Sequence, residues 1–255
     1  MKIFKYIFDK IRHFFMYIAY CFLYLIAKIL MPCKVKGRKN WNKKDEARVY
    51  VANHLQLYGP VTFFLRFHGK KAIWINEKML DEKKIAKEMS LSVMDEHNYK
   101  WAPKWFKKIA IFILKGLCYY ILKYRVKNIS VSRDNKCSLI PTLEETRKYI
   151  NKKYSIVIFP EVNYDTTLGI GEVFNGFATV GKYMFKKDGK ITSFYPVYID
   201  KTHKSATILK PIKFDPKDTD YANTIANYVT SSINGLAKPE EKQEQSNNLQ
   251  NAELS

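Results

Sequence analysis

The chain opens on a hydrophobic pattern of helical period. In "MKIFKYIFDKIRHFF" the polar residues Lys2, Lys5, Asp9 and Arg12 recur every three or four positions, with Ile3, Phe4, Ile7, Phe8 and Ile11 opposite them, which predicts an amphipathic helix. It runs into "FFMYIAYCFLYLIAKILM", Phe14 to Met31, about 27 Å long as a helix and close to the thickness of a hydrocarbon core. Lys28 alone interrupts that run, near enough to its end to snorkel. Lys2, Lys5, Lys10 and Arg12 precede it and Lys34, Lys36, Arg38 and Lys39 follow, so charge sets no crossing direction. An in-plane or re-entrant anchor therefore stands level with a single span. The long charged start, with no small-x-small site after it, argues against a cleaved signal peptide. A second stretch, Pro103 to Tyr124, sets Trp105, Phe106, Ile109, Phe112 and Ile113 on one side and lysines on the rest. It reads equally as a helix in the headgroup layer and as a buried core helix.

Beyond the first apolar run the period changes. Strands are expected at Arg48 to Ala52, near Ala72 to Ile75, at Ile129 to Ser132, Ser155 to Phe159, Phe194 to Ile199 and Ala206 to Phe214. Helices are expected from Pro60, through the stretches leading to Tyr124, at Thr142 to Lys152 and near Phe174 to Lys186. Strands separated by helical patterns predict an α/β domain with a largely parallel central sheet flanked by helices. In such sheets chemistry gathers on loops leaving the carboxyl ends of strands, and His54, Arg133 and Glu161 all follow predicted strands. The organisation expected is a membrane anchor over 1–31, one α/β domain over 32–238 and a polar disordered tail over 239–255.

Composition narrows the partners. With 44 Lys and Arg against 24 Asp and Glu the net charge is +20, which suits an anionic partner: phospholipid, nucleic acid or a phosphorylated substrate. The aromatics concentrate in long apolar helices and are not interleaved with Arg as base-stacking platforms are, so nucleic acid is the least fitting of the three. Cys21, Cys33, Cys118 and Cys137 form no Cys-x-x-Cys pair and no zinc-ligand spacing with His, so neither a disulfide framework nor a structural metal is expected. A reducing, cytoplasm-facing setting follows. The run "GIGEVFNG", Gly169 to Gly176, lacks the Gly-Lys-Ser/Thr ending of a phosphate-binding loop.

Four short stretches, in order, resemble the glycerolipid acyltransferase family that includes the 1-acylglycerol-3-phosphate acyltransferases. "ANHLQLYG" looks like its Asn-His-x-x-x-x-Asp block and "ISVSRD" like the second block, which ends in arginine. "VIFPEVNYD" resembles the Phe-Pro-Glu-Gly-Thr-Arg block, and "FYPVYI" a fourth built round Pro-Val; "LKPIKF" downstream is similar to a Gly-Lys-Pro-Ile stretch. The resemblance spans roughly Val49 to Phe214 and implies a glycerol-3-phosphate acyltransferase-like fold behind a membrane-embedded N-terminus on the cytoplasmic face of the cell membrane. It further implies transfer of a fatty acyl group from an acyl thioester, on coenzyme A or acyl carrier protein, to a lysophospholipid hydroxyl, with no metal or tightly bound cofactor.

By that resemblance His54 is the general base, a role for which imidazole suits because it titrates near neutrality. Glu161 is a structural or substrate-positioning carboxylate of the same catalytic block, and Asn53, Arg133 and Pro160 line the substrate site, the arginine as a phosphate ligand. The chain departs from the pattern at Gly59, where the family has the Asp that orients the histidine, and at Val162, Asn163 and Tyr164, where it has Gly, Thr and Arg. Gln56, Asp134 and Asp165 are the expected substitutes for the missing carboxylate. If the family geometry holds, Gly59→Asp restores it and raises activity. The alternative is a catalytically inactive lipid-binding protein of the same fold.

Overall fold

The computed structural model describes residues 2–42, 44–56, 58–81, 85, 103, 116, 118–132, 139–162 and 168–237. In chain order its elements are α1 (Lys2–Leu30), β1 (Lys34–Lys36), β2 (Ala47–Ala52), α2 (Tyr58–Arg66), β3 (Lys71–Asn76), β4 (Lys127–Val131) and α3 (Leu139–Asn151). They continue with β5 (Ser155–Ile158), α4 (Thr179–Asp188), β6 (Thr192–Asp200), β7 (Ser205–Ile208), β8 (Ile212–Lys213) and α5 (Tyr221–Ala237). The chain divides into two units, Met1–Pro32 with Lys71–Thr146, and Cys33–Lys70 with Arg147–Ser255.

In the first unit the amphipathic start and the apolar run are one 29-residue helix, α1. The stretch Lys10–Leu30 is long and apolar enough to cross a membrane. One side of α1 meets aromatic residues of the same unit: His13 stands edge-on to Tyr120 at 5.0 Å and to Tyr124 at 4.8 Å. The Arg125 guanidinium lies over Tyr17 at 5.3 Å and Tyr20 at 4.7 Å, an attraction between cation and ring face. Of the predicted helix Pro103 to Tyr124, residues 103, 116 and 118–124 are described. They end in a π-helical turn, Ile121–Arg125, closed by Val126 N–H on the Ile121 carbonyl at 3.0 Å. The rest of that helix lies outside the described residues, as does the predicted tail over 239–255. β3 and β4 pair in parallel from Ala72↔Lys127 to Asn76↔Val131.

The second unit carries a sheet in the order β1-β7-β6-β2-β5, with β8 beside β6. β2 is parallel to both β5 and β6, and β1 to β7; β7 and β8 run antiparallel to β6. β5 is buried along its whole length and β6 in all but its last residue, the burial expected of strands covered on both faces. Pro196 sits mid-strand in β6 at no cost in pairing. It falls between the stretches that β8 and β7 bond, and its carbonyl takes the Leu209 N–H at 2.9 Å. Helix α5 buries Ile225, Ala226, Val229 and Ile233, one face at helical spacing. The architecture is thus a mixed α/β fold with a largely parallel sheet flanked by helices.

Three expected elements differ. The helix near Phe174 to Lys186 is a 3-10 turn, Asn175–Ala178, followed by α4, which ends at Gly189 in the left-handed conformation, φ 66°. The single strand Ala206 to Phe214 is two, β7 and β8, because Pro211 between them has no N–H to give a ladder. The helix expected from Pro60 begins at Tyr58, which puts the proline in the first turn, where its missing donor is not needed.

Candidate active site

β2 and β5 are neighbours, with Val51 opposite Ile158, so the residues that follow each strand emerge side by side at the carboxyl edge. After β2 come Asn53 and His54, and after β5 come Phe159, Pro160 and Glu161. Asn53 is fully buried and bonds β6 in both directions: its Oδ1 accepts from the Ile199 N–H at 2.7 Å and its Nδ2 donates to the Ile199 carbonyl at 2.9 Å. The side-chain amide thereby extends the β2–β6 ladder past the last paired residues, Ala52 and Val197. It holds the start of the loop, with both ends of the amide on backbone.

His54 is half-buried, its ring edge-on to Phe159 with centroids 5.2 Å apart. The residues after it, Leu55 at φ 45° and Gln56 at φ 53°, are both left-handed without being glycine. Such positions cost of order 1–3 kcal/mol each and persist where the surroundings over-determine them. The turn closes with the Tyr58 N–H on the Leu55 carbonyl at 3.1 Å and the Gly59 N–H on the His54 carbonyl at 3.0 Å. The carbonyls of Asn53 and His54 fold back onto the first turn of α2 as a result. A Cβ at Gly59 would lie 2.3 Å from the His54 oxygen and 2.8 Å from the Asn53 oxygen, both backbone atoms. Gly59 is therefore no vacant partner position, and the expectation that Gly59→Asp restores a catalytic carboxylate is corrected: the chain's own backbone fills that space.

Glu161 is 1% exposed and lies against the same loop. Its Oε2 accepts the backbone N–H of His54, and its Oε1 accepts the Gly171 N–H at 3.2 Å. A carboxylate taking two backbone donors makes charge-assisted bonds, roughly twice as strong as neutral ones. Glu161 thus acts on the main chain of His54 and ties it to the strap of residues 168–174. That strap is a return stroke: Val173 bridges Glu161, the Val162 N–H meets the Glu172 carbonyl at 2.9 Å, and the Phe174 N–H meets the Pro160 carbonyl at 3.0 Å. Pro160 is buried at the neck of this excursion. Gln56 is exposed. Tyr58 opens α2 with Lys201 Nζ 6.0 Å over its ring, and burial pushes its hydroxyl above the usual value.

Arg133, Asp134 and Asp165 lie outside the described residues, as do Asn163 and Tyr164. Among the described residues no group of three or more His, Cys, Asp or Glu side chains is placed to hold a metal ion. Burial raises both the Cys33 thiol and the Cys118 thiol, the latter to about 11, which keeps them protonated at neutral pH. Two contributors escaped the sequence reading, Gly171 and Ile199, because each acts only through its backbone. The glycine run from 169, which lacks the ending of a phosphate-binding loop, forms part of the strap that Glu161 holds. The chain matches no known family model and no curated protein.

Proposed function

We propose that this protein is a membrane-bound acyltransferase of the 1-acylglycerol-3-phosphate acyltransferase kind, with a glycerol-3-phosphate acyltransferase-like fold, working on the cytoplasmic face of the cell membrane. The observation that carries the reading is the pairing of His54 and Glu161 on adjacent loops at the carboxyl edge of parallel strands, with the carboxylate bonded to the histidine's own main chain. The first and third of the stretches that carry the resemblance, "ANHLQLYG" and "VIFPEVNYD", run onto those two loops. In the proposed reaction the His54 imidazole takes the proton of a lysophospholipid hydroxyl, and the freed oxygen attacks the carbonyl carbon of an acyl thioester. The carbon–sulfur bond breaks, and the thiolate of coenzyme A or acyl carrier protein leaves with the proton. Glu161 positions His54, and Arg133 is the proposed ligand for the acceptor's phosphate.

Gly59 favours a second reading, a lipid-binding protein that has lost turnover, because no carboxylate can stand at the family position beside the histidine. One assay separates the two. Purified full-length protein in mixed micelles is given lysophosphatidic acid and a panel of other lysolipids, with acyl-CoA or acyl carrier protein donors, and thiol release is followed. The enzyme reading expects turnover that His54→Ala abolishes; equal background rates in both proteins overturn it.

A further inference from the structure

Asn53 is not the only asparagine that grips an isoleucine backbone from both sides. Asn234, on α5, accepts the Ile170 N–H on Oδ1 at 2.8 Å and donates from Nδ2 to the Ile170 carbonyl at 3.1 Å. Gly169 is fitted to this contact: its φ is 72°, and a Cβ there would lie 2.2 Å from Asn234 Oδ1. Gly171, the next residue after Ile170, donates to Glu161 Oε1, and the other carboxylate oxygen takes the His54 N–H. Hydrogen bonds, joined by the Ile170–Gly171 peptide link and the Glu161 carboxyl group, therefore run from α5 through the strap to the main chain of His54. We propose that Asn234 is a positioning residue for His54, acting from α5 and outside all four stretches that resemble the acyltransferase blocks.

The physical case is one of over-determination. Leu55 and Gln56 hold unfavourable left-handed conformations directly after His54, so the loop keeps its shape only while external bonds impose it. Glu161 supplies such a bond, and its buried carboxylate sits where its two backbone donors place it. One donor is His54 itself. The other, Gly171, is fixed because Ile170 beside it is held at both its N–H and its carbonyl and is buried. With Asn234 removed, the strap keeps its bonds at Glu172 and Phe174 but loses its hold on the helix at Ile170, so the Gly171 donor gains freedom against Glu161 and the imidazole shifts. A misplacement of about 1 Å costs up to about a hundredfold in rate.

The activity arm of the test rests on the acyltransferase reading, so a second arm does not. Full-length protein with isotopically labelled histidine is studied in micelles, and the His54 ring signal is identified by its loss in His54→Ala. In Asn234→Ala, and in Gly169→Ala from the other side of the same contact, the His54 signal and its titration midpoint are expected to move while the remaining histidine signals stay. Asn234→Asp keeps the acceptor for the Ile170 N–H and is expected to fall between wild type and Asn234→Ala. In the acyl-transfer assay Asn234→Ala lowers kcat about tenfold to a hundredfold, with KM for the lysolipid within about twofold. Asn223→Ala removes bonds to Asp220 and Asn175 from the same helix and leaves both readouts unchanged. An unmoved His54 signal in both Asn234→Ala and Gly169→Ala overturns the proposal, and so does a kcat loss that Asn223→Ala reproduces. If wild type turns over no lysolipid, the function reading fails and the shift of the His54 signal alone decides this one.

Discussion

Gly59 is fitted to the turn that follows His54. Its N–H closes the turn on the His54 carbonyl, and the space where a side chain would start holds two carbonyl oxygens. Forcing an atom into such a site costs about 1–3 kcal/mol by overpacking, and an added carboxylate beside carbonyl oxygens costs more. Both Gly59→Ala and Gly59→Asp are accordingly expected to lower the thermal midpoint by several degrees, with Gly59→Asp the worse, and to diminish any acyl transfer. Differential scanning of the micellar proteins measures the first effect; a gain of activity in Gly59→Asp would mean that the turn opens to admit the carboxylate. Sequence reasoning singled out His54 and Glu161, which the fold brings together, because both directly follow apolar strands and carry chemistry in their side chains. It could not see what fills the space at position 59, since that depends on the fold-back of Asn53 and His54. Nor could it see Asn234, whose partner Ile170 is 64 residues away and offers only backbone.

At the scale of elements the strands were legible and the connections less so. β2, β5 and β6 announce themselves as runs of apolar, largely β-branched and aromatic residues, and each formed within two residues of its expected bounds. β1 escaped because three alternating residues next to a long apolar helix give no period to read. α5 escaped although Ile225, Val229 and Ile233 repeat every four positions, because polar residues surround them. The link between α3 and α4 was likewise hidden: Arg147 holds Asp188 through Nε at 2.9 Å and Nη2 at 2.7 Å, with Asn151 adding a bond at 3.1 Å. The guanidinium and these bonds hold the Asp188 carboxyl below the ordinary carboxylate value. A depressed folded-state value means that the contribution to stability is present above the unfolded value, about pH 4, and is lost as pH falls through the folded one. Arg147→Ala is therefore expected to lower stability at pH 7 and to have a smaller effect near pH 3. Thermal midpoints of both proteins across that range check it, and a penalty that stays constant down to pH 3 would assign the loss to packing of the arginine stem.

On the membrane-bound reading proposed above, the question at the scale of the molecule is whether α1 crosses the bilayer or lies in its surface. Its faces answer in a pattern that composition alone does not carry. Ile11, Phe15, Ile18, Phe22, Leu25 and Ile29 follow one another at intervals of four and three and are all exposed, forming a continuous apolar stripe. His13, Tyr17 and Tyr20 lie on the other side, against Tyr120, Tyr124 and Arg125 of the same unit. Lys10, Arg12 and Lys28 are exposed and fall at the borders between the two sides. A spanning helix would draw Arg125 and its neighbour Lys123 toward hydrocarbon, where each charge costs about 2.5–3.5 kcal/mol or more. An in-plane helix leaves them at the water side and sets the bordering cations among headgroups, the arrangement of interfacial amphipathic helices. We therefore expect α1 to lie parallel to the membrane. Spin labels on Phe15→Cys, Phe22→Cys and Ile29→Cys, each in a background without the native cysteines, should report one common depth of about 5–10 Å in anionic vesicles. A spanning helix would instead spread those three labels over about 21 Å of depth, and a gradient of that size would reject the in-plane arrangement.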